Sequence, residues 1–254
     1  MTILPRSATR ARAIATVVGL ALAVAQAARA QDSGDGFRFH PPSGSWSLRG
    51  GYTMPTANSD LFTFTTSNLT VNHNDFNAID IGADLAFTVA RRLDLVFDIS
   101  YSGMNKGSEF RDFVDNSNQP IEQSTSFART PLTVSARYYL TERGRQIGRF
   151  AWVPNKIVPY VGAGVGMMNY AFDQKGDFID DSTLVVFTDA FHSSGWAPMA
   201  QVLAGVEWAV TPGWALRTEA RYLSASATPG NDFSGFHRID LSGLTTSVGF
   251  FVRF

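Results

Sequence analysis

From Ser45 onward the dominant hydrophobic period is two. Between Ile79 and Val89 the odd positions are Ile79, Ile81, Ala83, Leu85, Phe87 and Val89, while the even positions carry Asp80, Gly82, Asp84, Ala86 and Thr88. Leu93 to Tyr101 repeats the pattern, with Leu93, Leu95, Phe97, Ile99 and Tyr101 opposing Asp94, Val96, Asp98 and Ser100. Successive side chains of a strand point to opposite faces, so each segment is predicted to be a strand with one apolar face. Eight such segments are expected, near 46–54, 77–90, 93–103, 127–141, 157–170, 195–210, 214–224 and 239–254.

In each segment the positions assigned to the outward face are free of charge, as in Trp46, Leu48, Gly50, Tyr52 and in Leu244, Thr246, Val248, Phe250, Val252, Phe254. The opposite parity holds Arg49, Asp80, Asp84, Asp94, Asp98, Arg137, Glu207, Arg217, Glu219, Arg221 and Arg253. Two strands of this kind would also suit a soluble sheet; eight change the picture. A soluble fold sends its charges outward, whereas a Lys or Arg facing lipid at mid-bilayer costs about 2–4 kcal/mol. Backbone groups in lipid must all be paired, so a spanning sheet has to close on itself. Strands tilted by about 40° cross the apolar band in roughly ten residues, which fits these segments. The expected fold is therefore all-β: an eight-stranded antiparallel up-and-down transmembrane β-barrel over 45–254. An even strand count puts both termini on one side.

The connections alternate. Ala90-Arg91-Arg92 and Thr211-Pro212-Gly213 read as tight turns, while 54–76, 104–126, 171–194 and 225–238 are long and polar. Short turns on one rim and long loops on the other are the pattern of outer-membrane barrels. Glu142 to Lys156 departs from it, being long and basic where a tight turn is due. Trp46, Tyr138, Trp208, Trp214 and Phe254 fall towards the short-turn rim, and Tyr52, Tyr101, Trp196 and Tyr222 towards the other, giving two aromatic belts. Pro131 and Pro198 cannot donate to a ladder, and are expected where pairing loosens towards the long loops.

Composition narrows the classes further. Charged residues make up 17% of the 254, below the roughly 25% of a soluble domain, and aromatics reach 13%. A mean hydropathy of −0.03 excludes a bundle of membrane-spanning helices. The formal charge of −1 argues against a nucleic-acid partner, and without Cys neither disulfides nor thiolate chemistry is available. At the front, Arg6, Arg10 and Arg12 precede an apolar run from Ala13 to Ala25, and Ala28-Arg29-Ala30 presents small residues before Gln31. This is a secretory signal pattern, 1–30, too short in its apolar part to anchor. Its removal takes four of the 21 basic residues and leaves 17 against 22 acidic. Residues 31–44, rich in Gly, Pro and Ser, read as a flexible lead-in.

Val158-Pro159-Tyr160-Val161-Gly162-Ala163-Gly164-Val165-Gly166 resembles the Gly-rich fifth strand of the small outer-membrane β-barrels of Gram-negative bacteria, the group of OmpA-like transmembrane domains and OmpW-like proteins. Ala204 to Trp208, Thr211 to Trp214 and Arg217 to Tyr222 are similar to its sixth and seventh strands. The resemblance implies an outer-membrane location with both termini periplasmic, and contact with outer-membrane lipid and lipopolysaccharide. It also implies that Phe250, Val252 and Phe254 form the end signal read by the barrel-assembly machinery. The chain stops at the barrel, so the peptidoglycan-binding domain of full-length relatives is not expected.

Eight strands enclose a space that side chains can fill. Five Arg against six carboxylates on the inward parity suggest paired ions plugging the barrel; the other reading is a narrow water path. Gly162, Gly164 and Gly166 are expected to make room for long side chains, Arg among them. Eleven of the 20 Phe fall in the long connections: Phe62, Phe64, Phe76, Phe110, Phe113, Phe172, Phe178, Phe187, Phe191, Phe233 and Phe236. They either pack together beyond the membrane or form an apolar entrance for a small hydrophobic solute or a ligand on a host or cell surface. Asp173, Asp177, Asp180 and Asp181 lack the spacing of a calcium loop and read as solvated charge, with loose divalent bridging to lipopolysaccharide phosphates the other choice. His192-Ser193-Ser194 has a His-x-Ser spacing that a nucleophile and base could use, but nothing flanking it supports this, so no enzyme is expected. No cofactor or metal is expected either. The sequence points to a structural, envelope-stabilising or adhesive barrel, with a narrow porin or OmpW-like transporter of small hydrophobic solutes as the alternative.

Overall fold

The computed structural model describes residues 36–115, 118–180, 183 and 185–254. The expected signal 1–30, the start of the lead-in and Asp181 lie outside them. Eight long strands are present: β1 Gly44–Pro55, β2 Ala78–Ala90, β3 Leu93–Val114, β4 Pro120–Tyr139, β5 Ile157–Ile179, β6 Val186–Ala209, β7 Trp214–Ala227 and β8 Gly243–Arg253. Each pairs antiparallel with its neighbour in the chain, and β8 returns to β1 from Ser45↔Arg253 to Pro55↔Gly243, closing the ring. No helix among the described residues is long and apolar enough to cross a membrane.

The two faces follow the sequence parity. Ile81, Val165 and Val248 point outward and are 66%, 67% and 59% exposed, whereas Asp84 and Arg217 are 5% exposed inside. Leu95 also lies outside, and Asp80 and Asp98 are buried within. The alternation thus places apolar chains on the outer wall and ions on the axis, the reverse of a water-soluble sheet.

Two expected loops are largely strand. β3 and β4 continue as a hairpin as far as Val114↔Pro120, and β5 and β6 as far as Ile179↔Val186. Their outer segments carry polar chains on both faces, such as Asn105, Lys106, Ser124 and Thr125, so the hydrophobic period fades while the backbone ladder persists. Pro131 interrupts only one side: β3–β4 pairing stops at Ile99↔Leu132 and resumes at Ser102↔Arg129, while Pro131↔Met168 keeps β4–β5 continuous. At Pro198 the ladder to β5 likewise continues, and pairing of β6 with β7 begins at the next residue, Met199↔Ala225.

At the short-turn rim, the long basic connection folds as a small hairpin, Gly144–Ile147 with Ala151–Pro154. Arg38, in the described part of the lead-in, pairs with it through reciprocal backbone bonds to Trp152 at 2.9 and 2.7 Å. Arg38 also donates from Nη1 to the Arg253 carbonyl at 2.7 Å. Outside this rim, Phe250 packs edge-on against Trp46 and is stacked with Trp214, with centroids 5.9 and 5.7 Å apart. At the opposite rim Tyr52, Tyr101, Trp196 and Tyr222 stand exposed.

Candidate functional site

The lumen has two storeys. Towards the long connections, it is filled by apolar groups brought in by the loops themselves. Helix α1, Asp60–Asn68, buries Leu61 and Phe62, and short helical turns after it and near the end of the chain bury Phe76 and Phe233. Phe62 sits among Phe76, Phe127 and Phe172, with ring centroids 4.9, 5.4 and 5.7 Å away in edge-to-face contact. Met168, Met199, Leu223, Ile239 and Leu241 complete this plug. Of the Phe of the long connections, Phe110, Phe191 and Phe236 pack against it, while Phe64, Phe113 and Phe187 remain exposed.

Below the plug lies the ionic storey. Asp98 binds Arg49 from one side and Arg221 from the other, the latter at 2.6 Å. Asp84 accepts from Arg217 at 2.9 Å and from Ser47, and lies 3.9 Å from Arg49 and 3.7 Å from Arg137. Glu219 holds Arg221 at 2.6 Å and lies 3.8 Å from Arg137. Glu207 takes the second arm of Arg217 at 2.9 Å and lies 3.9 Å from Arg253. Each of these acids touches at least two arginines, so charge alternates around the axis, the compensation that buried ions require. Asp94 is met instead by Arg143 at 2.9 Å, from the rim connection, and by the Tyr139 hydroxyl at 2.9 Å. Asp80 is the outlier: buried, with no ion pair under 4 Å among the described residues, and with Oδ1 lacking a hydrogen-bond partner.

The inward parity also carries members of this storey that are not among the charged residues picked out from the sequence. Arg129 shares the face of Arg137 but works apart from the ions. It donates to the Leu241 carbonyl at 2.8 Å and to Thr53 Oγ1 at 2.7 Å, bracing the plug from beneath. Tyr160 donates to Glu219 at 2.7 Å and lies under Arg137, whose guanidinium carbon is 4.9 Å from the ring centroid. Gln201 bridges Thr133 and Ser135. The inward glycines also differ from expectation. A side chain at Gly164 or Gly166 would strike Ser135 and the Leu132 carbonyl, and one at Gly162 would strike Leu203, so these glycines admit the neighbouring strands rather than arginine. Room for arginine is made at Gly82, where an added carbon would meet the Arg49 guanidinium.

The ionic storey is closed to solvent: Arg137 is 0% exposed, Asp98 3% and Glu219 6%. A water-lined channel would leave such groups wetted. A cavity of about 600 Å³ does exist, but it is lined mostly by outward residues, Gly50, Tyr52, Ala204, Ala220, Thr246 and Val248 among them, and so dents the outer wall. Phe250, Val252 and Phe254 lie on the outward parity at the short-turn rim, and the Phe254 carbonyl accepts from the Ser43 N–H at 2.8 Å.

No family model matches this chain, and no curated protein matches it. Among solved structures it is similar to Neisserial surface protein A, with 15% identity and a TM-score of 0.48 over 83% of this chain and 96% of that one. It is similar also to the outer membrane protein OprG of Pseudomonas aeruginosa, with 13% identity and a TM-score of 0.44 over 84% and 97%. For the N-terminal β-barrel domain of Pseudomonas aeruginosa OprF the values are 12% and 0.37 over 84% and 100%. At these identities and TM-scores the likeness assigns neither activity nor role.

Outside the barrel, the acidic residues of the β5–β6 hairpin are engaged separately. Asp173 contacts His192, Asp177 accepts from Thr188 Oγ1 at 2.5 Å, and Asp180 accepts from Thr183. No group of three or more side chains able to hold a metal ion occurs among the described residues. Asp60, at the start of α1, accepts from the His237 backbone N–H at 2.8 Å and contacts its ring Nδ1 at 2.6 Å. The backbone bond from His237 holds the Asp60 carboxyl below its ordinary value. A carboxyl depressed by folding stabilises above its unfolded pKa and loses that contribution as pH falls through the folded value. The tether between α1 and the last long connection should therefore loosen below about pH 4. The protection factor of the His237 amide should fall there and recover at neutral pH; a constant protection factor would show that Asp60 does not hold this loop.

Proposed function

We propose that the chain is an outer-membrane β-barrel that serves as a sealed wall element of a Gram-negative envelope, in a structural, envelope-stabilising or adhesive role. In this reading lipid and lipopolysaccharide surround the apolar wall, both termini are periplasmic, and 1–30 is the export signal. Phe250, Val252 and Phe254 are the residues offered to the assembly machinery. The observation that supports a sealed element is the burial of the axial ions beneath an apolar plug. The extended hairpins, with Phe113 and Phe187 exposed, are the surface from which an adhesive contact would be made.

A narrow porin requires wetted charges along the axis, and a transporter fed from the long-loop side requires the plug to move aside. The purified protein in a planar bilayer is therefore expected to give no regular conductance steps. Regular steps that change with Arg217→Ala would overturn the sealed reading and favour transport.

A further inference from the structure

The outward face of the β5–β6 hairpin carries three side chains in series. His192 Nδ1 lies 2.7 Å from Asp173 Oδ1, and His192 Nε2 lies 3.0 Å from Ser194 Oγ. Asp173 and His192 are direct partners in the ladder, and Ser194 follows two residues along the same face. A carboxylate only accepts, so Nδ1 carries the proton, and Nε2 of the neutral ring accepts from the Ser194 hydroxyl. This is the relation of acid, base and nucleophile that recurs on unrelated hydrolase folds, where it is recognised by geometry and not by chain order. The His-x-Ser spacing alone lacked its acid; the neighbouring strand supplies it.

We propose that Ser194, His192 and Asp173 form a hydrolytic site for the carboxylic ester of an acyl lipid. The position on the wall selects the substrate. Ser194 and His192 are exposed, and Trp196, 58% exposed, lies two residues further on the same face, about 7 Å along the strand. Trp196 belongs to the aromatic belt, the depth at which amphipathic rings meet the polar boundary of a bilayer. An acyl ester in the outer leaflet lies at that depth, its chain running down past Met167 and Val165. The proposal thus rests on the reading of the outer wall as lipid-facing.

The chemistry closes without a further reagent. Ser194 Oγ attacks the ester carbonyl carbon while its proton passes to His192 Nε2, and Asp173 steadies the imidazolium. The carbon–oxygen bond to the alcohol then breaks, and the leaving oxygen takes the proton from Nε2. Water adds to the acyl-Ser194 carbonyl, giving its proton to Nε2; the fatty acid departs and Ser194 recovers its hydrogen. A donor for the oxyanion is at hand. β6 has no β7 partner beyond Met199, and on that edge, along which the last long connection runs, the His192 N–H donates to Asp232 at 3.0 Å. By the alternation of an antiparallel strand, the Ser194 N–H faces the same edge, next to its own Oγ.

The test uses the purified protein in two sets of vesicles, one of phosphatidylethanolamine and phosphatidylglycerol, the other containing lipopolysaccharide. Insertion is scored separately by flotation. Fatty acid release is expected from at least one set, which identifies the lipid, and a fluorophosphonate is expected to label Ser194. Ser194→Ala should abolish both. Asp173→Asn should slow release about 100-fold or more, because the imidazolium formed during attack loses the carboxylate that steadies and orients it, while labelling of Ser194 by the fluorophosphonate slows in parallel. Inserted protein that releases no fatty acid from either set, or that releases it undiminished as Ser194→Ala, overturns the proposal. Protein that fails to float overturns the membrane reading, and the site with it.

Discussion

Replacing Arg217 with Met is expected to lower the unfolding free energy by about 3–5 kcal/mol, the range for removing one partner from a buried ionic cluster. The side chain gives one arm to Asp84 and the other to Glu207, each at 2.9 Å, and its guanidinium lies 4.6 Å from the Phe251 ring centroid. Met keeps the volume and loses the charge, so the loss comes from two carboxylates left buried with fewer compensating groups. Glu207 would retain the Tyr139 hydroxyl at 3.1 Å and Arg253 at 3.9 Å, and Asp84 would retain Arg49 and Arg137 at 3.9 and 3.7 Å. Those longer contacts soften the loss without removing it. Denaturant titration of the protein in vesicles measures it. Adding Asp84→Asn should return part of the stability, because one unpaired charge is removed along with its partner, and the coupling read from the double-mutant cycle should lie in the range of about 0.5–3 kcal/mol. A single-variant loss below about 1 kcal/mol would show that these ions are hydrated and that the lumen is open.

The fold was legible because a period of two survives wherever one face meets an apolar medium and the other meets charge. Asp80, Asp84, Asp94 and Asp98 could be put on the axis from parity alone. Their partners could not: Asp84 and Arg217 are 133 residues apart, and the register that joins them is a property of the closed ring. Arg143 reaches Asp94 from a segment that reads as a turn, so a face-by-face reading leaves it out. The outer halves of β3 to β6 were lost for a related reason. There the inward face still alternates into the interior, but the buried positions are polar, as at Ser108, Gln123, Thr125 and Gln174, and the outward positions are polar too, so the ladder continues without a hydrophobic period to mark it. The contact of Asp173 with His192 lies in that region, which is why the sequence offered a base and a hydroxyl without an acid.

Val248→Arg is the variant with which the inverted arrangement stands or falls. Val248 sits near the middle of β8, between Gly50 of β1 and Thr218 of β7, and faces outward. On a water-soluble barrel, a substitution at so exposed a position stays within about ±0.5 kcal/mol. Against hydrocarbon the guanidinium must be desolvated or must drag water with it, and the expected loss is about 2–4 kcal/mol at mid-bilayer. The same change at Leu244, four residues along the outward face and paired with Tyr222 in the upper belt, should cost only about 0–1 kcal/mol. The difference between the two positions is the informative quantity, since side-chain size and strand propensity are shared and only depth differs. Equal and small losses at both would mean that water bathes the apolar wall, and neither the sealed barrel in a bilayer nor an ester-cleaving site at its surface would survive that result.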